Sequence, residues 1–314
     1  MISIEVSQKY NQKKLDKFLM ENFRKLSQSS IYKAIRTKNI RINGIKISAN
    51  TILNTGDQLD IYIKDEILYG VSLKDHQISL DIIYEDQHLL LVNKKPGIQV
   101  LPDKDCKELT LIDVATQYLK EKDEYPPDNP VSFPPSLCHR LDRNTGGIII
   151  IAKTQEALTV MLDKIKKREV KKYYQCIVIG CPNLREAELK HYLFKDQKKS
   201  HVYISDVRKS GWVEIITRYK VISRGKEMSK LEVELVTGKT HQIRAHLAHI
   251  GHPIVGDGKY GVNKFNRMVG SKHQALWAYK VEFDFKDGEI LDYLRGKVFE
   301  TYDIEFDIKG LDLK

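Results

Sequence analysis

His139-Arg140-Leu141-Asp142-Arg143-Asn144-Thr145-Gly146-Gly147 runs straight into Ile148-Ile149-Ile150-Ile151. An aspartate between two arginines, on a polar turn that ends in glycine, is followed at once by a β-branched, strand-like run. The combination reads as a carboxylate held ionised on a rigid support. A lone Asp in a turn more often caps its own backbone, but a turn that merely faces solvent has no need of such a support.

Working outward, Leu89-Leu90-Leu91-Val92 reads as a second, buried strand ending in the turn Asn93-Lys94-Lys95-Pro96-Gly97. Residues 109–120 read as a helix, and the stretch from Asp123 to Pro135, with five of the nine prolines, as a constrained loop leading into the Asp142 turn. After the isoleucines, Thr154 caps a helix that places Leu158, Met161, Leu162 and Ile165 in the core. Tyr174 to Ile179, Trp212 to Val221, Leu231 to Val236 and Val281 to Phe285 read as strands. The expected fold class is α+β, with a main domain over residues 81–310 built around a mixed, mostly antiparallel sheet.

Residues 1–75 carry a separate pattern, a small α/β domain joined to the rest by a linker at 76–80. Leu15, Phe18 and Leu19 fall at helical spacing, as do Ile31, Ala34 and Ile35 after the cap Ser27-Gln28-Ser29-Ser30. Ile40-Arg41-Ile42 and Ile45-Lys46-Ile47 alternate about the hairpin dipeptide Asn43-Gly44, and Leu59 to Ile63 alternates again. Thirteen Lys and Arg stand against eight acids here. Lys33 and Arg36 share one helix face, where with Lys38, Arg41 and Lys46 they are candidates to meet phosphates without reading sequence. For any single pair, a solvated face is the plainer reading.

Over the 314 residues, 52 Lys and Arg exceed 42 Asp and Glu, a net charge of +10 that favours an anionic partner. Cys106, Cys138, Cys176 and Cys181 form no metal-type pair and read as reduced thiols of a cytoplasmic protein. The opening Met1-Ile2-Ser3-Ile4-Glu5 lacks the pattern of a secretion signal, and no stretch is apolar for long enough to span a bilayer, so no membrane is expected.

Three stretches in order carry a resemblance: the Asp142 turn, Arg168-x-Val170-x-Lys172-x-Tyr174, and Gly238-Lys239-Thr240-His241-Gln242-Ile243-Arg244. Together they resemble the RluA-type pseudouridine synthases that modify ribosomal and transfer RNA. The first 75 residues resemble the S-four-like RNA-binding domain in Ser29-x-x-x-Lys33-x-x-Arg36, Ile40-x-Ile42-Asn43-Gly44 and Gly56-Asp57. The resemblance covers about residues 12–260. It departs at Gly146, where the family has Ser, a lost hydroxyl expected to loosen the turn. Lys239 stands for the commoner Arg, keeping charge without the bidentate fork, and Leu101-Pro102 for a His-Pro.

The resemblance implies uncoupling of a uracil from its ribose, rotation of the base, and rejoining through carbon 5, with no cofactor. Asp142 is then catalytic, attacking carbon 1′ or removing a proton at carbon 2′. Tyr174 covers the uracil, its hydroxyl a candidate acceptor for the carbon 5 proton, and Arg244 pairs with Asp142 to keep it ionised. Arg140 is the side chain inserted when the base is extruded. His139, Thr145, Lys172, Lys239, His241 and Gln242 are expected at the substrate or RNA, with Lys33, Arg36 and Lys46 on the first domain. Large-subunit ribosomal RNA is the expected partner, transfer RNA a second, and the chain is expected to act as a monomer. A non-catalytic RNA-binding or ribosome-assembly protein on the same fold is the alternative. A nucleoside hydrolase would need two opposed carboxylates, and only Asp142 sits in a motif.

Two decoys fall away. Thr237-Gly238-Lys239-Thr240 imitates the end of a phosphate-binding loop, but the glycine required five places before Gly238 is Val233, so no nucleotide cofactor is implied. His241, His246, His249 and His252 suggest a metal, yet Gly251 and Pro253 would end the helix before the last of them, and no metal is expected.

Overall fold

The computed structural model describes residues 2–23, 26, 28–63, 80–102, 109–125 and 133–310. Most of the expected linker, the cap residue Ser27, Cys106 and the centre of the proline-rich loop lie outside the described residues. Two compact units form: Met1–Ser79 with Pro102–Leu109 and Asp113–Pro134, and Leu80–Leu101 with Thr110–Ile112 and Pro135–Lys314.

In the first unit the order is β1 (Ile2–Glu5), α1 (Leu15–Asn22), α2 (Gln28–Arg36), β2 (Ile40–Ile42), β3 (Ile45–Lys46) and β4 (Gln58–Ile61). The sheet runs β1-β4-β2-β3, antiparallel throughout. Its apolar face closes over α1 and α2 through Leu15, Phe18, Leu19, Ile31, Ile40, Leu59 and Ile61, all buried. Positive φ at Asn43 (50°) and Gly44 (74°) makes the β2–β3 turn the type whose twist matches antiparallel strands. Asn43 is fixed further by donating to Asp57 at 2.9 Å and accepting the Gln58 amide at 2.8 Å. Strand β1 was not among the sequence expectations. A helix, α3 (Leu111–Glu121), forms where residues 109–120 were read as one.

The second unit opens with β5 (Ile82–Glu85), β6 (Leu89–Lys94), β7 (Ser136–Leu137), β8 (Gly146–Ala152), α4 (Gln155–Lys166) and β9 (Val170–Ile179). It continues with β10 (Glu186–Asp196), β11 (His201–Ser205), β12 (Val213–Arg224), β13 (Met228–Leu235), α5 (Gln242–His249), α6 (Asn263–Met268), β14 (Leu276–Phe283) and β15 (Val298–Glu300). One sheet runs β11-β10-β12-β13-β9-β14-β8-β6-β5, with β15 added to β14 and β7 to β8. Every pairing among the described residues is antiparallel except β8 with β14. The α+β class with a mixed, mostly antiparallel sheet is therefore the one observed.

All seven residues of β8 are buried, as a continuous isoleucine run requires. Thr154 caps α4, its hydroxyl oxygen accepting the Ala157 amide at 3.2 Å. The core face of α4 agrees with the expected one at Leu158, Met161 and Ile165 and departs from it at Leu162. Ala157, Val160, Met161 and the stem of Lys164 are buried, whereas Leu162 is 47% exposed. Lys164 takes a core position by keeping its ammonium near Glu169, 3.8 Å away. No helix among the described residues is long and apolar enough to cross a membrane.

Candidate active site

The Asp142 turn is held from every side. The Thr145 amide donates to the Asp142 carbonyl at 3.1 Å, closing the turn. Lys94, at the end of β6 and fully buried, donates from Nζ to the carbonyls of Lys95 (3.0 Å), Ile98 (3.0 Å) and Arg143 (2.9 Å). Gly97 and Arg143 bond reciprocally: the Gly97 amide donates to the Arg143 carbonyl, and Arg143 Nε to the Gly97 carbonyl, both at 2.9 Å. Gln274 donates to the buried Thr145 hydroxyl at 2.6 Å, and His139 Nε2 accepts the Ile150 amide at 3.2 Å. Burial, with Lys172 nearby, pulls His139 down to about 3, so its ring is a neutral strap onto β8.

Where the turn enters β8, parallel register sets Gly146 beside Trp277 and Gly147 beside Ala278. A Cβ on Gly146 would lie 2.5 Å from the Trp277 ring, and one on Gly147, whose φ is +117°, 2.2 Å from the Ala278 carbonyl oxygen. The expected loosening at Gly146 is thus corrected. The indole, anchored by Nε1 donating to Asn93 at 3.2 Å, occupies the space a serine side chain would need.

Arg244 lies on α5. Its Nε and one terminal nitrogen (NH2) donate to the two oxygens of Asp257 at 2.7 and 2.9 Å, and its other terminal nitrogen (NH1) donates to Asp142 Oδ2 at 2.7 Å. Asp257 is fully buried and Arg244 is 8% exposed. Burial opposes the guanidinium charge, but Asp257 and Asp142 outweigh it and raise its pKa. Burial likewise opposes the Asp257 charge, and the Arg244 bond reverses that, holding the carboxyl below the usual range. Asp257 fixes the guanidinium plane, so the remaining edge faces Asp142.

His241 begins α5 in the left-handed region, φ 54°. Tyr260 Oη accepts the Val202 amide and stands 2.9 Å from His241 Nδ1. The other ring nitrogen of His241, Nε2, lies 3.9 Å from Asp142 Oδ2. Gln242 uses its amide inside the fold, accepting from Thr237 Oγ1 and the Lys239 amide and donating to Ile216 and Thr217.

Arg168 turns the chain from α4 into β9 with φ 63°, and β9 presents Lys172 and Tyr174 to the same cavity as Asp142, a space of about 1150 Å³. Tyr174 is buried, and burial together with the Asp142 charge raises its phenol. Tyr173 faces elsewhere, bonding Glu282 at 3.3 Å. Burial lowers the Lys172 ammonium. Arg140 and Lys239 are exposed and line the cavity. On the first unit, Lys33, Arg36, Lys38 and Lys46 line a shallow concavity beside Tyr32. Arg41 is not in that lining, and its guanidinium lies over the Tyr62 ring.

Three contributors escaped sequence reading. Asp257 sits between Gly256 and Gly258, a glycine-flanked Asp that marks a turn. Lys94 was passed over for Lys95, which pairs with Asp303 at the surface. Nothing local marks Tyr260.

A family model described as RNA pseudouridylate synthase matches residues 88–249, a span that holds all three motifs. The chain is 33% identical over 288 residues to the ribosomal large subunit pseudouridine synthase D of Buchnera aphidicola, covering 87% of each chain. To the synthase D of Escherichia coli it is 29% identical over 261 residues, covering 83% of this chain and 76% of that one. Human RNA pseudouridylate synthase domain containing 4 shares the fold with a TM-score of 0.55 at 20% identity, over 70% of this chain and 87% of that one. Sequence match and fold agree, and the chain belongs to the RNA pseudouridylate synthase family: it is an RNA pseudouridine synthase, an isomerase.

Proposed function

We propose that this chain converts uridine to pseudouridine in large-subunit ribosomal RNA, with Asp142 as the catalytic residue. The observation that carries the reading is the chain Asp257–Arg244–Asp142, in which one carboxylate orients the arginine that holds the other. Arg244 holds Oδ2 at 2.7 Å, and Oδ1 is left to act on the ribose. The bond from carbon 1′ to N1 breaks, the base turns, carbon 5 bonds to carbon 1′, and the carbon 5 proton leaves while N1 gains one. The raised phenol keeps Tyr174 neutral, which favours a stacking role over that of proton acceptor.

Arg140 is exposed at the cavity, as a side chain that replaces an extruded base must be, and Lys172 and Lys239 offer charge to the flanking phosphates. Thr145, Gln242 and His139 spend their polar atoms on the fold, so their roles are to hold the site rather than touch RNA. Lys33, Arg36 and Lys46 dock RNA on the first unit, read as an S-four-like domain. Residues 1–75 and 81–310 are the two domains. One chain supplies Asp142, Tyr174 and Arg244 to a single cavity, which supports a monomer. Unpaired Cys138 and Cys176 support a reducing cytoplasm. Ribosomal RNA is preferred to transfer RNA because relatives named for the large ribosomal subunit cover most of the chain.

The test is tritium release from RNA labelled at carbon 5 of uridine, comparing unmodified ribosomal and transfer RNA. Release from large-subunit RNA, abolished by Asp142→Asn, is the expected result. Release from transfer RNA alone would refute the substrate, and release by the variant would refute the residue.

A further inference from the structure

Outside the Asp142 cavity, three imidazoles and a carboxylate gather where the end of α5 meets β10 and the segment after β11. His249 Nε2 lies 2.7 Å from Asp206 Oδ1, and His191 Nε2 lies 3.3 Å from the same oxygen. One donor atom from each of these residues falls within 4.8 Å of the others. Behind them, His191 Nδ1 is 2.7 Å from Nε2 of the buried His246, whose Nδ1 is 2.9 Å from Thr217 Oγ1. Gln242 Nε2 donates to that hydroxyl oxygen at 3.0 Å.

We propose that His191, His249 and Asp206 form a site for a divalent transition-metal ion of the kind imidazole favours, such as zinc or cobalt. Two imidazoles and a carboxylate from three separate segments are a sufficient ligand set, and the exposure of Asp206 leaves the remaining positions to water. The groups behind supply the support that metal-bound histidines require. Two proton arrangements are open to the chain from Thr217 to His191. In one, the hydroxyl donates to His246 Nδ1, His246 Nε2–H donates to His191, and His191 Nε2–H points at Asp206. In the other, His246 Nδ1–H donates to Thr217 and His191 Nδ1–H donates to His246, which leaves a bare His191 Nε2 lone pair beside the carboxylate.

Both arrangements hold the same number of protons. A metal ion selects the second by shifting tautomers, and neither imidazole in the relay has to give up a proton. The bound ion would tie the helix that carries Arg244 to β10 and the segment after β11.

The experiment uses the full chain without an affinity tag, stripped with a chelator, then titrated with cobalt and with zinc. Visible cobalt absorption, the heat of zinc binding and the unfolding midpoint are read for the wild type, His249→Ala and Asp206→Asn. One ion per chain at micromolar concentration, an unfolding midpoint that rises with zinc, and affinity at least about a hundredfold weaker in each variant are expected. Lack of saturable binding at millimolar ion means a hydrogen-bonded cluster only and overturns the proposal. Binding that survives both substitutions places the ion elsewhere and overturns it equally.

Discussion

Two regions present positive charge on opposite physical terms. Arg244 is buried, and three of its N–H groups are spent on two carboxylates. Lys33, Arg36 and Lys46 stand exposed around a shallow concavity. A buried ion pair is costly unless it is fully hydrogen-bonded, and losing one partner costs several kcal/mol. An exposed cation contributes little to the fold and is available to whatever anion arrives. The buried cation therefore fixes where a carboxylate stands, and the exposed ones set how strongly and how salt-dependently the molecule attracts an anion.

The sharpest way to break this contrast is Asp142→Asn. The amide keeps the shape of the turn, whose other bonds come from Lys94, Gly97 and Gln274. A folded protein that binds RNA normally but reacts about a thousandfold more slowly, about 4 kcal/mol of lost barrier lowering, is expected from single-turnover tritium release. Near-normal turnover would mean that the buried pair is only structural.

Next in size is Gly146→Ser, which restores the residue expected from the family resemblance. Its Cβ would enter the space of the Trp277 ring, so a loss of about 2 kcal/mol in urea unfolding is expected. Trp277→Phe in the same chain should recover part of it, a coupling measurable in a double-mutant cycle. Additive effects would show that the turn relaxes without the indole.

The contact explains what was and was not legible in the sequence. Asp142, Tyr174 and Arg244 each lie in a contiguous motif, so chemistry and local structure could be read together. Trp277 reaches Gly146 only through the parallel pairing of β8 with β14, which no local pattern announces. Asp257 meets Arg244 only after the chain folds back beyond α5. Strand β10 escaped because its residues alternate between exposed and half-buried along most of their length, leaving little apolar signal. On α4, Leu162 was assigned to the core because leucine outweighed the register that Ala157 and Val160 set.

A third test concerns Lys94, which burial holds down at about 7, against the opposing pull of Asp142. The unfolded lysine binds its proton up to its ordinary value near 10.5. Between those two values the unfolded chain carries the extra proton, so stability rises with pH there and falls away as pH drops through about 7. One proton corresponds to a slope of at most about 1.4 kcal/mol per pH unit. Urea unfolding from neutral to alkaline pH should show the wild type steeper than Lys94→Met by up to that amount. Parallel curves would mean that the three carbonyl acceptors keep the ammonium charged throughout, making the buried cation beneath the turn as permanent as Arg244.

The smallest effect tests the exposed side of the contrast. Lys33→Ala and Arg36→Ala remove cations with no structural burden, so stability should change by less than about 0.5 kcal/mol. If each meets one phosphate, the dependence of binding on salt should fall by about one unit of slope per substitution, with affinity weakened severalfold for every RNA sequence. The single-turnover rate at saturating RNA should not move, because these side chains line a concavity formed by the first unit alone. A slope that stays constant would return these residues to the solvated face that a single Lys-Arg pair suggests. A fall in the saturated rate would carry a stronger lesson. The exposed cations would then be shaping the reacting geometry, and the division between a buried cation that positions and surface cations that attract would fail.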